Sequence, residues 1–144
     1  MNSILGNYRR LNTITGWVLF TVSTVVYLLT IEPTVSFWDC GEFILSSFRL
    51  QVGHPPGAPL FLMIGRIATL FSLGDASKAA MMMNALSAIC SGFAIMFLFW
   101  TITHLVKRVY LGSDEVESVH IPAILGSGII GALAYTFSDT FWFS

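Results

Sequence analysis

From Leu11 to Ile31 the chain carries no charged residue. An α-helix needs about 20 apolar residues to cross the roughly 30 Å hydrocarbon core of a bilayer. A backbone in lipid must satisfy its own hydrogen bonds, so a run of this length and composition folds as a spanning helix. Arg9 and Arg10 stand just before it, as in the positive region of a signal peptide. The run exceeds the roughly 7–15 residues of a signal core, and no A-x-A-like site follows, so a retained first span is expected.

A second long run covers Ala79 to about Val106, and a third, shorter one begins at Ile121 and reaches residue 138. Only 10% of the residues are charged and 55% are hydrophobic. Soluble domains are about a quarter charged, so the chain reads as an all-α integral membrane protein. The net charge of −1 gives no basic field, which sets nucleic-acid partners aside. Two cysteines, Cys40 in a polar stretch and Cys90 inside an apolar run, do not make a disulfide framework. Small residues recur four apart in the spans: Ala88 with Gly92, Ser127 with Gly131, and Gly128 with Ala132. That spacing lets helices approach closely and predicts a packed bundle.

Charge sets the expected orientation. Arg9 and Arg10 precede the first span, and Lys107 and Arg108 follow the second. Two spans between the pairs place both on one side, and the positive-inside rule makes that side cytoplasmic. The expected map is then spans at about 11–31, 79–106 and 121–138, an outer loop at 32–78 and a cytoplasmic connector at 107–120. The membrane is the inner membrane of a bacterium or the endoplasmic reticulum. Within the outer loop, Pro59 to Leu73 is apolar but interrupted by Arg66. An arginine near mid-membrane costs several kcal/mol, so this segment is expected to lie in the interface or re-enter, with Pro59 in its first turn.

The outer loop also gathers the polar chemistry. In "SFWDCGEFILSSFRLQVGHPPGAPLF", Asp39 and Glu42 are three residues apart, which puts both carboxylates on one face of a helix that Ser36 can cap. Such a pair can work as a general base with an electrostatic partner, bind a divalent cation, or simply solvate a helix end. Trp38 is a candidate interfacial anchor or binding residue. Arg49 and Arg66 are candidate partners for the carboxylates or for a phosphate, whose oxygens a guanidinium fork matches. Arg66 can equally snorkel to the interface. His54 stands before three prolines and a glycine, a rigid turn that fixes its imidazole. No second histidine or cysteine stands at metal-ligand spacing, so no zinc site is expected. His104 and His120 read as ordinary interfacial residues.

The elements "PTVSFWDCGEFI" and "LQVGHPPGAPLFLMIGRI" together closely resemble the N-terminal part of the family long filed as domain of unknown function 2723. That family includes transmembrane-protein-260-like protein O-mannosyltransferases and is similar to GT-C membrane glycosyltransferases. The resemblance runs from about Thr13 into the third span. It implies transfer of a sugar, mannose in the first instance, from a polyprenyl- or dolichyl-phosphate donor to serine or threonine of an acceptor protein. It further implies that Asp39 acts as general base, with Glu42 orienting the acceptor, supporting Asp39 or holding a metal. His54 and Arg66 are implied at the donor phosphate or its pocket. The lipid-linked sugar is the donor substrate, a divalent metal is left open, and the implied partners are membrane lipid, that donor and the acceptor protein. Family members are much longer, so residues 1–144 are expected to be the N-terminal part of a larger GT-C-like domain, inactive alone. The rival expectation is a non-catalytic multi-pass module, for transport or assembly, whose outer loop docks a partner. Spans almost free of ionisable groups argue against a transport path.

Overall fold

The computed structural model describes residues 2–35, 39–54, 57–112, 117 and 119–138. All regular structure among them is α-helical: α1 (Asn2–Leu29), α2 (Cys40–Arg49), α3 (Pro59–Leu70), α4 (Ala76–Leu111) and α5 (Ile121–Thr136). Helices α1 and α4 are long and apolar enough to cross a membrane. Only 22% and 28% of their most apolar windows are buried, whereas the core helix of a soluble protein would be mostly covered. Surfaces of that kind are stable in lipid.

The helices extend beyond the expected spans at two places. Lys107 and Arg108 belong to α4, which runs on to Leu111, so the helix takes in the first five residues of the expected connector. At 36 residues the helix is about 54 Å long, and its polar end projects beyond a hydrocarbon core of about 30 Å. Lipid solubility ends at the first charge, but the intrahelical hydrogen-bond ladder does not. The same holds for α1, which contains Arg9 and Arg10. Helix α5, with 16 residues, is about 24 Å long.

The residues fall into two units, 1–25 with 91–144 and 26–90. In the first unit, α1 and α4 run antiparallel. The Lys107 Nζ lies 5.7 Å over the Tyr8 ring, the Trp100 indole N–H donates to the Asn12 carbonyl at 3.2 Å, and Gly92 faces Thr24. A side chain on Gly92 would collide with Thr24 Oγ1, and one on Gly128 would lie 2.8 Å from the Phe99 ring. Leu19, Ile95, Phe99 and Ala132 form the centre of this unit. The close approach expected at Gly92, Gly128 and Gly131 is therefore present, since Gly131 faces Ile102.

In the second unit, α2 packs on α3 and on the first turns of α4, where Ile44, Ala79, Ala80 and Met83 form the core. Asp75 starts α4 as its N-cap, accepting from the Ser77 N–H at 3.0 Å. Asn84 Nδ2 donates to the Glu32 and Thr34 carbonyls at 2.8 and 3.1 Å and fixes the segment after α1.

Candidate active site

Three contacts define how α2 and α3 lie together. Phe43 meets Phe61 edge-on at 5.6 Å between ring centroids, Ser47 faces Gly65, and the Arg66 guanidinium donates to the Phe48 carbonyl. The partner numbers rise together, so the two helices run in the same direction. Residues 50–58 must then return along the whole of α2, about 15 Å, before α3 can start. Nine residues reach that far easily.

The return begins at Leu50, whose φ of 52° and ψ of 46° put it in the left-handed region that ends many helices. The Gln51 N–H donates to the Ser46 carbonyl at 2.9 Å, closing the helix end. Leu50 is not glycine, so this turn carries local strain. On the way back the chain passes the first turn of α2. There the Glu42 carboxylate takes two hydrogen bonds from one residue: the His54 backbone N–H at 2.7 Å to Oε1, and the His54 ring Nδ1 at 2.7 Å to Oε2. Gly53 makes the approach possible, since a Cβ there would sit 3.3 Å from Glu42 Oε1. The Gly57 N–H then donates to the His54 carbonyl at 2.9 Å, with Gly57 at φ 72°, where a side chain would be strained. Pro59 opens α3 at its first position, where a missing N–H costs nothing.

The electrostatics follow from these bonds. Glu42 lies well placed in the first turn of α2, near the positive end of the helix dipole. The backbone hydrogen bond from His54, followed by the ring bond, lowers the Glu42 pKa. The Glu42 hydrogen bond, then its charge, and with it the charge of Asp39, raise that of His54. A carboxylate can only accept, so Nδ1 carries the shared proton and Nε2 is the outer edge of the ring. The His54 and Glu42 side chains are 53% and 41% exposed, so a substrate can reach them.

The expected site residues separate into two groups. Glu42 and His54 are joined by two hydrogen bonds, and the charge of Asp39 acts on the His54 ring. Asp39 is the N-cap of α2 and makes no side-chain capping bond. The helix starts at Cys40, so the acids are not two successive residues of one helical face: Asp39 holds the cap position that the sequence gave to Ser36. Arg66 stands elsewhere, on the Phe48 carbonyl at the far end of α2 with its guanidinium carbon 5.9 Å over the Phe48 ring. Arg49 lies in the last turn of α2, exposed. Ser36 and Trp38 fall outside the described residues. Sequence reasoning used Gly57 in the turn after His54 but did not single out Gly53, for which the glycine directly before "HPP" was the available signal. Beside the turn lies an open concavity of about 340 Å³, lined by Leu50, Val52, Gly53, Gly57, Leu62 and Met63 among others.

Fold and pair together describe a helical membrane protein with a carboxylate–imidazole pair on the segment between two long apolar helices. The chain belongs to the family of the protein O-mannosyl-transferase TMEM260 N-terminal domain, whose profile matches residues 39–144. It is similar to the protein O-mannosyl-transferase tmem260 of Dictyostelium discoideum, 27% identical over 125 residues that cover 87% of this chain. It is likewise similar to the protein O-mannosyl-transferase TMEM260 of Mus musculus, 29% identical over 86% of the chain. The chain spans only 13% and 15% of the lengths of these two relatives. No solved structure matches it.

Proposed function

We propose that residues 1–144 are the N-terminal, site-bearing part of a membrane glycosyltransferase that moves mannose from a lipid-phosphate donor to a serine or threonine hydroxyl. The observation that carries this reading is the hydrogen-bonded Glu42–His54 pair, with the charge of Asp39 acting on it, in the segment that the family profile covers. Mannose and protein acceptor come from the relatives' names. In a single displacement the acceptor oxygen bonds to the anomeric carbon. The bond from that carbon to the phosphate oxygen breaks, and its electron pair leaves on the phosphate. The hydroxyl proton passes to the cluster, which is where general-base assistance of about 10²- to 10⁴-fold is available.

The site faces the side opposite the cytoplasm. Support comes from the antiparallel α1 and α4, whose Tyr8–Lys107 contact brings Arg9 and Arg10 to the same end as Lys107 and Arg108. By the positive-inside rule that end is cytoplasmic, and the opposite helix ends lead into residues 30–75. No resident cofactor is invoked.

The test uses the full-length protein in membranes. Label is expected to move from polyprenyl-phosphate mannose to a serine/threonine acceptor protein, and not from a nucleotide sugar. Transfer from the nucleotide sugar alone, or from neither donor, contradicts the reading.

A further inference from the structure

Glu42 has both carboxylate oxygens committed to a single residue. Oε1 holds the His54 backbone N–H and Oε2 the ring Nδ1, each at 2.7 Å. A carboxylate so engaged is poorly placed to receive a substrate proton. What it does is fix the ring in one orientation and one tautomer, with Nδ1 protonated and the Nε2 lone pair outward in the neutral form. Nδ1 faces the carboxylate on one edge, and the half-exposed ring offers Nε2 on the other. We propose that the Nε2 of His54 is the base that takes the acceptor hydroxyl proton, and that Glu42 is its positioning residue. This rests on the glycosyltransferase reading above, and it moves the proton-accepting role from Asp39 to His54.

The surroundings suit that role. Proton uptake turns the imidazole into a cation, and both neighbouring charges that act on it, Glu42 and Asp39, are negative. The protonated product of the step is therefore stabilised by its neighbours, as in a carboxylate–histidine pair that activates a hydroxyl. The remaining charged groups of the elements packed on α2 are engaged elsewhere. Arg66 of α3 is on Phe48, and Lys78 of α4 pairs with Asp75 at 3.5 Å. The atoms balance simply: the hydroxyl O–H bond breaks as the oxygen–anomeric carbon bond forms, Nε2 gains the proton, and the phosphate leaves with the electron pair. The imidazolium then returns its proton to water.

The sign of the pH dependence follows. A histidine base works when neutral, so transfer falls as pH drops through the raised pKa of His54. Glu42→Gln removes the main cause of the raising, so the acid limb moves to lower pH. His54→Asn keeps the backbone N–H that bonds Glu42 and loses the base, and is expected to reduce transfer at least 100-fold. Adding Glu42→Ala to it is expected to cost no more than a further twofold, because the positioned group is already gone. The experiment measures transfer against pH for full-length wild type, Glu42→Gln and His54→Asn in membranes. Beside it, the rate of diethylpyrocarbonate modification of His54 against pH, read by peptide mass, gives the His54 pKa without reference to activity.

A downward shift of both the modification curve and the transfer limb in Glu42→Gln supports the proposal. A modification curve that does not move shows that the pair is not formed, and overturns it. A modification curve that moves while the transfer limb stays, or sits near 4 where a carboxylate base would set it, overturns the His54 role and leaves the glycosyltransferase reading standing. Wild type inactive with the lipid-linked donor overturns both.

Discussion

At the scale of single residues, the account turns on two places where local preference yields to the return of the chain. Leu50 sits at φ 52° because the chain must reverse there, and a left-handed conformation costs a side-chain-bearing residue about 1–2 kcal/mol. Leu50→Gly is expected to stabilise the full-length protein by about 1 kcal/mol, read as a higher midpoint of thermal unfolding in detergent. A lower midpoint would mean that the Leu50 side chain contributes more at the concavity than its backbone loses. The second place is the Glu42–His54 pair, which ties the returning segment to α2. His54 has a raised pKa, so its contribution is complete below its ordinary 6.5 and is lost as pH rises through the raised value. Glu42 has a lowered pKa, so its contribution is complete above its ordinary 4.5 and is lost as pH falls through the lowered value. The segment at 50–58 is therefore expected to be held best between about pH 4.5 and 6.5. Amide exchange there, corrected for its intrinsic pH dependence, should be slowest in that window. A flat profile would show that the pair does not hold the segment.

At the scale of elements, α2, α3 and α4 meet tightly where Ser47 and Met83 press on Gly65. A Cβ at Gly65 would lie 2.6 Å from Ser47 Oγ and 2.8 Å from Met83 Sδ. Gly65→Val is expected to cost about 1–3 kcal/mol as overpacking, seen as a lower unfolding midpoint. Arg66→Met is expected to cost about 1.5–3 kcal/mol through the lost bond to the Phe48 carbonyl, while leaving the pH profile of transfer unchanged. A shifted profile would put Arg66 back among the groups that act on substrate. These elements were unequally legible in the sequence. The long helices could be read because lipid imposes one rule, a long uncharged run, and α3 because Pro59 and the apolar run that Arg66 interrupts mark a short helix. The polar ends of α1 and α4 lie outside the expected spans because a helix continues past its first charge. The same-direction pairing of α2 and α3 has no periodic signature, since it is set by contacts 18 residues apart such as Phe48 with Arg66. For the same reason the sequence assembled Asp39, Glu42, His54 and Arg66 into one polar loop, while folding separates Arg66 from the other three.

At the scale of the whole molecule, two claims can be measured. One is topology. In a background with Cys40 and Cys90 replaced by serine, Val52→Cys is expected to react with a membrane-impermeant thiol reagent in intact cells or sealed vesicles oriented outside-out. Val109→Cys should react only after permeabilisation, both side chains being exposed. The reverse pattern contradicts the orientation and with it the delivery of a lipid-linked donor to residues 39–58. The other claim is central: the carboxylate–imidazole cluster is where the transfer happens. The most direct test compares full-length wild type with the Asp39→Ala/His54→Ala double variant, matched for membrane insertion, for transfer of labelled mannose from polyprenyl phosphate to a serine/threonine acceptor. The account predicts at least a 100-fold loss in the double variant. Equal transfer by the two proteins would contradict it and leave residues 39–58 as a surface that docks a partner.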